Sequence, residues 1–234
     1  MRYTLDCHVK RDLRILSVYL EARRLSDVKN RFHHNFQHVI RDLHRALVIA
    51  AEEDSVDYSI LIPGVLLHDM GFCDPDCIRY GHDLTGARLA EDILARLNYE
   101  EETIQAIGHC IRAHKGKAET PSTIEAKILY DADVLEKAGL TYLILGGRVV
   151  CEFEETIEDF LKREISDRAK ELKKGFYTRK ARELDGGRLA QVKSLLSQTR
   201  KEIQQERPDY QVRESDLWEK PLPEAVGPGA EPGL

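Results

Sequence analysis

The stretch VLLHDMG, residues 65–71, places a histidine and an aspartate side by side, His68 and Asp69, at the end of an apolar run. An apolar residue would be the ordinary choice there, because a buried carboxylate without a partner is costly. Asp69 therefore needs a cation or hydrogen-bond donors. Imidazole and carboxylate together suit first-row divalent metals. We interpret the pair as part of a metal centre; the alternative is an aspartate bonded to backbone amides beside a neutral core histidine.

An upstream segment, HHNFQHVIRDL (33–43), carries more histidines. His34 and His38 are four residues apart, about 40° around a helix, so both can reach one central point. By the same count His33 and His44 point elsewhere, and we predict that they lie on the surface.

A downstream segment, ILYDADVLEKAG (128–139), offers two carboxylates. They are two residues apart, about 200° around a helix, so only one of them can face the core. Asp133 follows Leu129 by four residues and falls on the apolar side. We predict that Asp133 binds metal, and that Asp131 is solvated or supports a ligand.

The composition limits the classes of function that fit the chain. Its 234 residues carry 35 Lys and Arg against 41 Asp and Glu, a formal net charge of −6, which does not favour wholesale binding to nucleic acid or an anionic membrane. No run approaches the roughly 20 apolar residues of a spanning helix. The five cysteines are scattered, unlike a disulfide framework, and the charged first segment lacks the apolar run of a signal peptide. We expect a cytoplasmic protein with a small-molecule partner.

Helical periodicity dominates the chain, and no stretch alternates long enough to predict a strand. We predict an all-α fold with a metal-binding helical domain in residues 1–150. Within it, Pro63 is expected to kink or restart its helix, and LTYLILGGRVV (140–150) is predicted as a buried helix, with a strand as the alternative. Residues 151–207 are highly charged and predict helices that form a cap on the same domain. The Pro- and Gly-rich tail, 208–234, is expected to be disordered.

Read in order, His38, His68-Asp69 and Asp133 form the pattern H…HD…D. With LLHDMG, HNFQHV upstream and DADVLEKAG downstream, residues of about 30–140 resemble the HD-domain superfamily of metal-dependent phosphohydrolases. The resemblance implies an all-α bundle in which these four side chains bind one divalent metal.

Some subgroups of that superfamily add two histidines and hold two metals. GHDLTGA (81–87) and AIGHCIRAHKG (106–116) resemble those additions. The resemblance implies that His82 and His114 bind a second ion and that Asp69 bridges the two, with the metals drawn from Mn, Fe, Co, Ni, Zn and Mg. His114 also continues an apolar helical stripe and so projects inward, whereas His82 could instead cap its helix.

A phosphate substrate needs cations besides the metal. Arg41 lies about one turn beyond His38, and Lys115 follows His114 directly, so both are candidates for substrate binding and Arg41 also for catalysis; solvated surface charges are the alternative. His34 is a candidate to protonate the leaving oxygen, or else bonds a neighbouring loop carbonyl.

We therefore expect a metal-dependent phosphohydrolase in which metal-activated water cleaves a phosphate ester or anhydride of a small molecule, a nucleotide before others. The chain lacks both the lysine after HD and the GYP motif of the cyclic-dinucleotide-cleaving subgroup. Two alternatives stay open: an HD-fold di-iron oxygenase with the same six ligands, and a non-catalytic nucleotide-binding sensor. The charged helices beyond residue 151 could also pair two chains as a homodimer.

Overall fold

The computed structural model describes residues 5–29 and 31–205. Helices are the regular elements of these ranges, no β-strand occurs within them, and the all-α prediction is confirmed. The α-helices are α1 Leu5–Arg11, α2 Arg14–Lys29, α3 Phe36–Ala50, α4 Tyr58–Leu67, α5 Cys77–Tyr80, α6 His82–Arg96, α7 Glu101–Ala113, α8 Ile124–Glu136, α9 Leu140–Phe153, α10 Ile157–Lys174, α11 Arg179–Asp185 and α12 Arg188–Gln205.

The central helix is α4, in which residues 61–67 are all buried. A helix that is apolar on every side is stable only when other elements surround it, and α2, α3, α7 and α8 pack around this one. The helix continues through Pro63 and does not restart there, because packing on all sides outweighs the one backbone bond that proline cannot donate. The alternative, a kink at Pro63, stays a prediction. It therefore ends in the interior and delivers His68 and Asp69 there.

A 3-10 turn, Met70–Cys73, redirects the chain after Asp69. A Cβ on Gly71 would lie 1.9 Å from the carbonyl oxygen of His82, so only glycine allows this close approach. The turn thereby holds the first residue of α6 beside the end of α4.

The apolar stretch 140–150 belongs to α9, so a helix is confirmed over a strand. The helix is not buried throughout as predicted, because Leu140 is 61 % and Ile144 77 % exposed. Tyr142 of α9 donates a buried hydrogen bond to Glu164 of α10. This bond ties the two helices together beside a cavity that both side chains line.

The chain divides into two compact units, residues 1–197 and 198–234. The first contains the whole candidate site. Of the second, the structure describes residues 198–205, where Gln198 donates to Glu202 at 2.8 Å. The predicted disordered tail, 208–234, lies outside the described residues, and the domain boundary at residue 150 stays a prediction. Within the described ranges, no helix is both long enough and apolar enough to cross a bilayer.

Candidate metal centre

Three helices bring the first group of ligands together. His38 lies in the first turn of α3, His68 directly after α4, and Asp133 in the last turn of α8. The Nε2 atoms of His38 and His68 are 3.3 Å apart, and Asp133 Oδ1 is 4.0 Å from His38 Nε2. All three residues are buried. The structure therefore collects these predicted ligands around one point.

A second group of ligands lies beside the first. His82 opens α6 and His114 follows α7, and their Nε2 atoms are 3.3 Å apart. Asp69 Oδ1 is 3.4 Å from His82 Nε2 and 3.9 Å from His114 Nε2.

Asp69 contributes one carboxylate oxygen to each group. While Oδ1 faces His82 and His114, Oδ2 lies 3.2 Å from His38 Nε2 and 3.5 Å from His68 Nε2. A carboxylate placed in this way can bridge two cations, as the resemblance implied for Asp69.

Backbone carbonyls orient two of the histidine rings. His68 Nδ1 donates to the carbonyl of Val65 at 2.7 Å, and His114 Nδ1 donates to the carbonyl of Ile111 at 2.6 Å. Because a neutral imidazole carries one proton, each Nε2 then presents a lone pair to its group. Metal-binding histidines show this arrangement, in which the outer nitrogen is fixed by a carbonyl or a carboxylate.

Asp42 joins the first group although the H…HD…D pattern does not include it. It lies on α3 four residues after His38, hence on the same helix face, and is fully buried. Its Oδ2 is 3.3 Å from His38 Nε2 and 3.8 Å from His68 Nε2. Its spacing from His38 was the one sequence signal that could have identified it.

Glu136 of α8 supports His38 from behind. Its carboxylate is 3.6 Å from His38 Nδ1 and accepts a hydrogen bond from Arg41 Nε at 2.7 Å. Arg45 also binds this carboxylate, at 2.5 Å. Arg41 thus binds Glu136 on the far side of His38 and is not among the residues that line the cavity. Its position does not support the predicted catalytic and substrate-binding roles.

His34 lies at the cavity and is held by Glu152 of α9. His34 Nδ1 is 2.5 Å from one Glu152 oxygen, and the backbone N–H groups of His33 and His34 donate to the other at 2.6 and 3.1 Å. Burial raises the pKa of Glu152, but these bonds outweigh burial and lower it to about 2. One carboxylate 118 residues away therefore fixes both the backbone and the ring of His34, a contact that sequence reasoning did not foresee.

The prediction that His33 lies on the surface is wrong. The residue is 3 % exposed, and its ring lies 5.2 Å from that of His38, centroid to centroid. His33 precedes the helix, so helical angular spacing does not apply to it. His44, in contrast, is exposed as predicted.

Asp131 is buried rather than solvated. Its carboxylate accepts hydrogen bonds from the backbone N–H groups of Tyr177 and Thr178, at 3.0 and 2.7 Å, and from the Thr178 hydroxyl at 2.7 Å. Thr178 is the N-cap of α11. Asp131 thus anchors α11 on the helix that carries Asp133.

Both groups of ligands open onto a cavity of about 770 Å³. Phe72, stacked on His82 at 4.0 Å, lines it together with Phe153. Lys115 lines it too, as its predicted role requires. The other basic residues at the cavity are Arg31, Lys117, Lys137, Arg163, Arg168, Lys170 and Lys174.

The electrostatics of the first group fit a divalent cation. Asp42, Asp69 and Asp133 bring three buried carboxylates to two imidazoles. Burial raises the pKa of Asp42 to about 6. Burial lowers the pKa of His38, but the carboxylates around it outweigh burial and raise it well above its usual range. Lys137 donates to Asp133 at 2.8 Å and Arg45 donates to Asp42 at 2.9 Å, so side-chain cations balance part of this charge. The nitrogen and oxygen atoms that face one another within the group suit a first-row divalent metal.

Comparisons with known proteins agree with this geometry. The sequence model of the HD domain matches residues 35–138. Ribonuclease Y of Acidothermus cellulolyticus is 31 % identical over 153 residues, which are 63 % of this chain and 27 % of that protein. The chain thus spans about a quarter of the length of this curated relative.

Two solved structures have a similar fold. Bacillus subtilis YpgQ in complex with ADP shows a TM-score of 0.54 at 19 % identity, over 83 % of this chain and 98 % of its own. A predicted HD superfamily hydrolase from an uncultured Thermotogales bacterium shows a TM-score of 0.50 at 23 % identity, over 81 % of this chain and 91 % of its own. Residues 35–138 therefore form an HD domain, which confirms the family prediction for this part of the chain.

Proposed function

We propose that the protein is a metal-dependent phosphohydrolase that cleaves a phosphate ester or anhydride of a small molecule. Nucleotides are the first candidates for the substrate. The observation that carries the proposal is the position of Asp69, whose two carboxylate oxygens face two separate pairs of histidines. His38, His68, Asp69 and Asp133 would hold one divalent ion, and Asp69, His82 and His114 a second. Bound there, the metals would activate water and offset charge on the phosphoryl oxygens.

The cavity supports a nucleotide-sized substrate. Its volume of about 770 Å³ lies within the range of small-molecule sites, about 300–1,000 Å³. Lys115 follows the ligand His114 and can bind a phosphate oxygen as a point charge. Phe72 and Phe153 offer aromatic surface in the same cavity. The fold shared with YpgQ, which was solved with ADP, makes nucleoside diphosphates the first compounds to test.

His34 is suited to move a proton at the leaving oxygen. It lines the cavity just before α3 begins, with Nδ1 bound to Glu152. Burial lowers the pKa of His34, while the hydrogen bond and the charge of Glu152 oppose that fall. Glu152 thus holds the proton of the neutral ring on Nδ1 and leaves Nε2 as a proton acceptor, which could take a proton from the attacking water and then return it to the leaving oxygen.

The proposal is tested by release of phosphate or nucleotide from metal-loaded protein. The panel holds nucleoside mono-, di- and triphosphates, dinucleoside polyphosphates and, because of the match to Ribonuclease Y, a short oligoribonucleotide. We expect Mn²⁺, Co²⁺, Ni²⁺ or Fe²⁺ to stimulate hydrolysis, Asp69→Asn to abolish it, and His44→Gln, an exposed histidine change, to leave it intact.

Other outcomes would contradict the proposal. No turnover of the panel, or equal turnover by Asp69→Asn, would refute it. Oxygen uptake by iron-loaded protein without release of phosphate would favour the di-iron oxygenase. Nucleotide binding without turnover, unchanged by a chelator, would favour a sensor. The balance of charge and the scattered cysteines lead us to propose a cytoplasmic location as well.

A further inference from the structure

We infer that Asp42 is an additional ligand of the ion held by His38 and His68, and that it makes the two metal positions chemically unequal. Asp42 is outside the H…HD…D pattern and is 0 % exposed. The inference rests on the metal-binding part of the proposed function. It does not depend on which bond the enzyme cleaves.

The two oxygens of Asp42 have different surroundings. Oδ1 accepts a hydrogen bond from Arg45 Nη1 at 2.9 Å. Oδ2 is buried, and no group in the described part of the chain donates a hydrogen bond to it. It points at the ligand atoms of the first group, 3.3 Å from His38 Nε2 and 3.8 Å from His68 Nε2. A buried carboxylate oxygen in that position needs either a cation or a proton as its partner.

A proton on His38 cannot serve every acceptor around it. His38 Nε2 lies 3.2 Å from Asp69 Oδ2, 3.3 Å from Asp42 Oδ2 and 3.3 Å from His68 Nε2. One N–H can be directed at only one of these atoms. A shared cation can engage them all, because metal ions take several ligands at once.

An ion pair with Arg45 is the structural alternative for Asp42. Arg45 contacts only Oδ1 of Asp42, and the same Nη1 atom binds Glu136 at 2.5 Å. Its side chain is also 27 % exposed, against 0 % for Asp42. The pair with Arg45 therefore accounts for one oxygen of Asp42 and leaves the buried one unexplained.

With Asp42 included, the two positions differ in donor chemistry. The first offers two imidazoles and oxygens from three carboxylates: His38, His68, Asp42, Asp69 and Asp133. The second offers two imidazoles and one oxygen of Asp69. Carboxylate-rich sites suit Mn²⁺ and Mg²⁺, while imidazole-rich sites suit Zn²⁺, Ni²⁺ and Fe²⁺. The first position should therefore hold Mn²⁺ more tightly, and the second should exchange its ion more readily.

The test uses a His82→Ala/His114→Ala variant, in which the first position remains and the second is removed. Mn²⁺ is titrated into this variant, and the EPR signal of free Mn²⁺ reports how much stays unbound. Asp42→Asn should weaken Mn²⁺ binding by about 10-fold or more, because loss of a group that only supports a ligand already costs about 10-fold in metal affinity. Zn²⁺ affinity, measured by competition, should fall less. Arg45→Gln removes the ion pair but keeps the Asp42 carboxylate, and it should weaken Mn²⁺ binding less than Asp42→Asn does.

Equal Mn²⁺ affinity in the parent and in Asp42→Asn would overturn the inference, as would an equal loss in Arg45→Gln. If the parent itself binds no Mn²⁺, the proposed function fails together with the inference. Because a buried substitution can unfold the chain, a crystal structure of the Mn²⁺-loaded natural protein gives a test without a variant. Asp42 Oδ2 should lie within about 2.5 Å of the ion, and a longer separation would overturn the inference.

Discussion

Asp69 Oδ1 lies 3.4 Å from His82 Nε2, although the other oxygen of the same carboxylate faces a different pair of histidines. The two residues are 13 positions apart, and the turn at Gly71 brings them together. Through this contact α6 joins a centre that α3, α4 and α8 already form. His82 of α6 and His114, which directly follows α7, therefore belong to the same site as the HD pair.

Removal of the bridge should affect both positions. We expect Asp69→Asn to lower turnover by more than about 100-fold. Loss of a group that only supports a metal ligand lowers activity by up to about 100-fold, and Asp69 would itself be a ligand of both ions. Metal content should fall as well, because the amide cannot supply the charge. The measurement is steady-state hydrolysis together with metal analysis, and full metal content with normal turnover would contradict the bridging role.

Loss of the second pair should remove one ion only. In a His82→Ala/His114→Ala variant, we expect the metal content per chain to fall by half, because His38, His68 and Asp133 remain. Metal analysis after gel filtration measures this directly. An unchanged metal content would show that these histidines do not bind metal.

The pair His34–Glu152 should matter to catalysis more than to metal binding. We expect His34→Ala to lower kcat by about 100-fold or more, as for a group that accepts and returns a proton, and Glu152→Gln to have a smaller effect in the same direction. His109 and Glu119 form a similar pair, 2.6 Å apart, and are not among the cavity-lining residues. Glu119→Gln is therefore the matched control and should leave kcat unchanged.

His33 should make the metal-free protein sensitive to acid. Burial lowers the pKa of His33 from its ordinary 6.5 to about 3. Since the unfolded chain then binds a proton that the folded chain does not, stability is lost as the pH falls from about 6.5 toward 3, by up to about 1.4 kcal/mol per pH unit. In the presence of a chelator, urea unfolding of His33→Gln should depend less steeply on pH. The exposed-site variant His44→Gln should keep the original slope, and equal slopes in all three proteins would contradict this prediction.

Asp131 should contribute stability rather than chemistry. Asp131→Ala leaves the N–H groups of Tyr177 and Thr178 without their acceptor, and we expect a loss of about 1–3 kcal/mol in the free energy of unfolding. Asp131→Asn keeps an acceptor and should lose less. Urea denaturation measures both. If Asp131→Asn lowers the free energy of unfolding as much as Asp131→Ala does, then the charge of Asp131, and not its hydrogen bonds, holds α11.

The sequence was most informative where local pattern and chemistry coincide. Apolar periodicity predicted the helices, and an adjacent His68 and Asp69 at the end of an apolar run predicted a buried polar centre. Asp133 could be chosen over Asp131 because helical geometry sends them to opposite sides. Even there, the destination of Asp131 depended on a loop 46 residues away, which no local pattern reveals.

The remaining features of the site depend on tertiary contacts. Glu152 reaches His34 across 118 positions, and Arg41 turns to Glu136 across 95. His33 is buried although it precedes its helix, because α9 covers that segment through Glu152. Asp42 was the exception, since its spacing from His38 was visible in the sequence. A charged residue on a predicted helix is usually solvated, and only burial distinguishes this one.

The most direct measurement is anomalous diffraction at the manganese edge from crystals of the Mn²⁺-loaded protein. We predict two anomalous peaks on either side of the Asp69 carboxylate, one beside His38 and His68 and the other beside His82 and His114. A map with no peak at Asp69, or with Mn²⁺ bound only elsewhere, would contradict it.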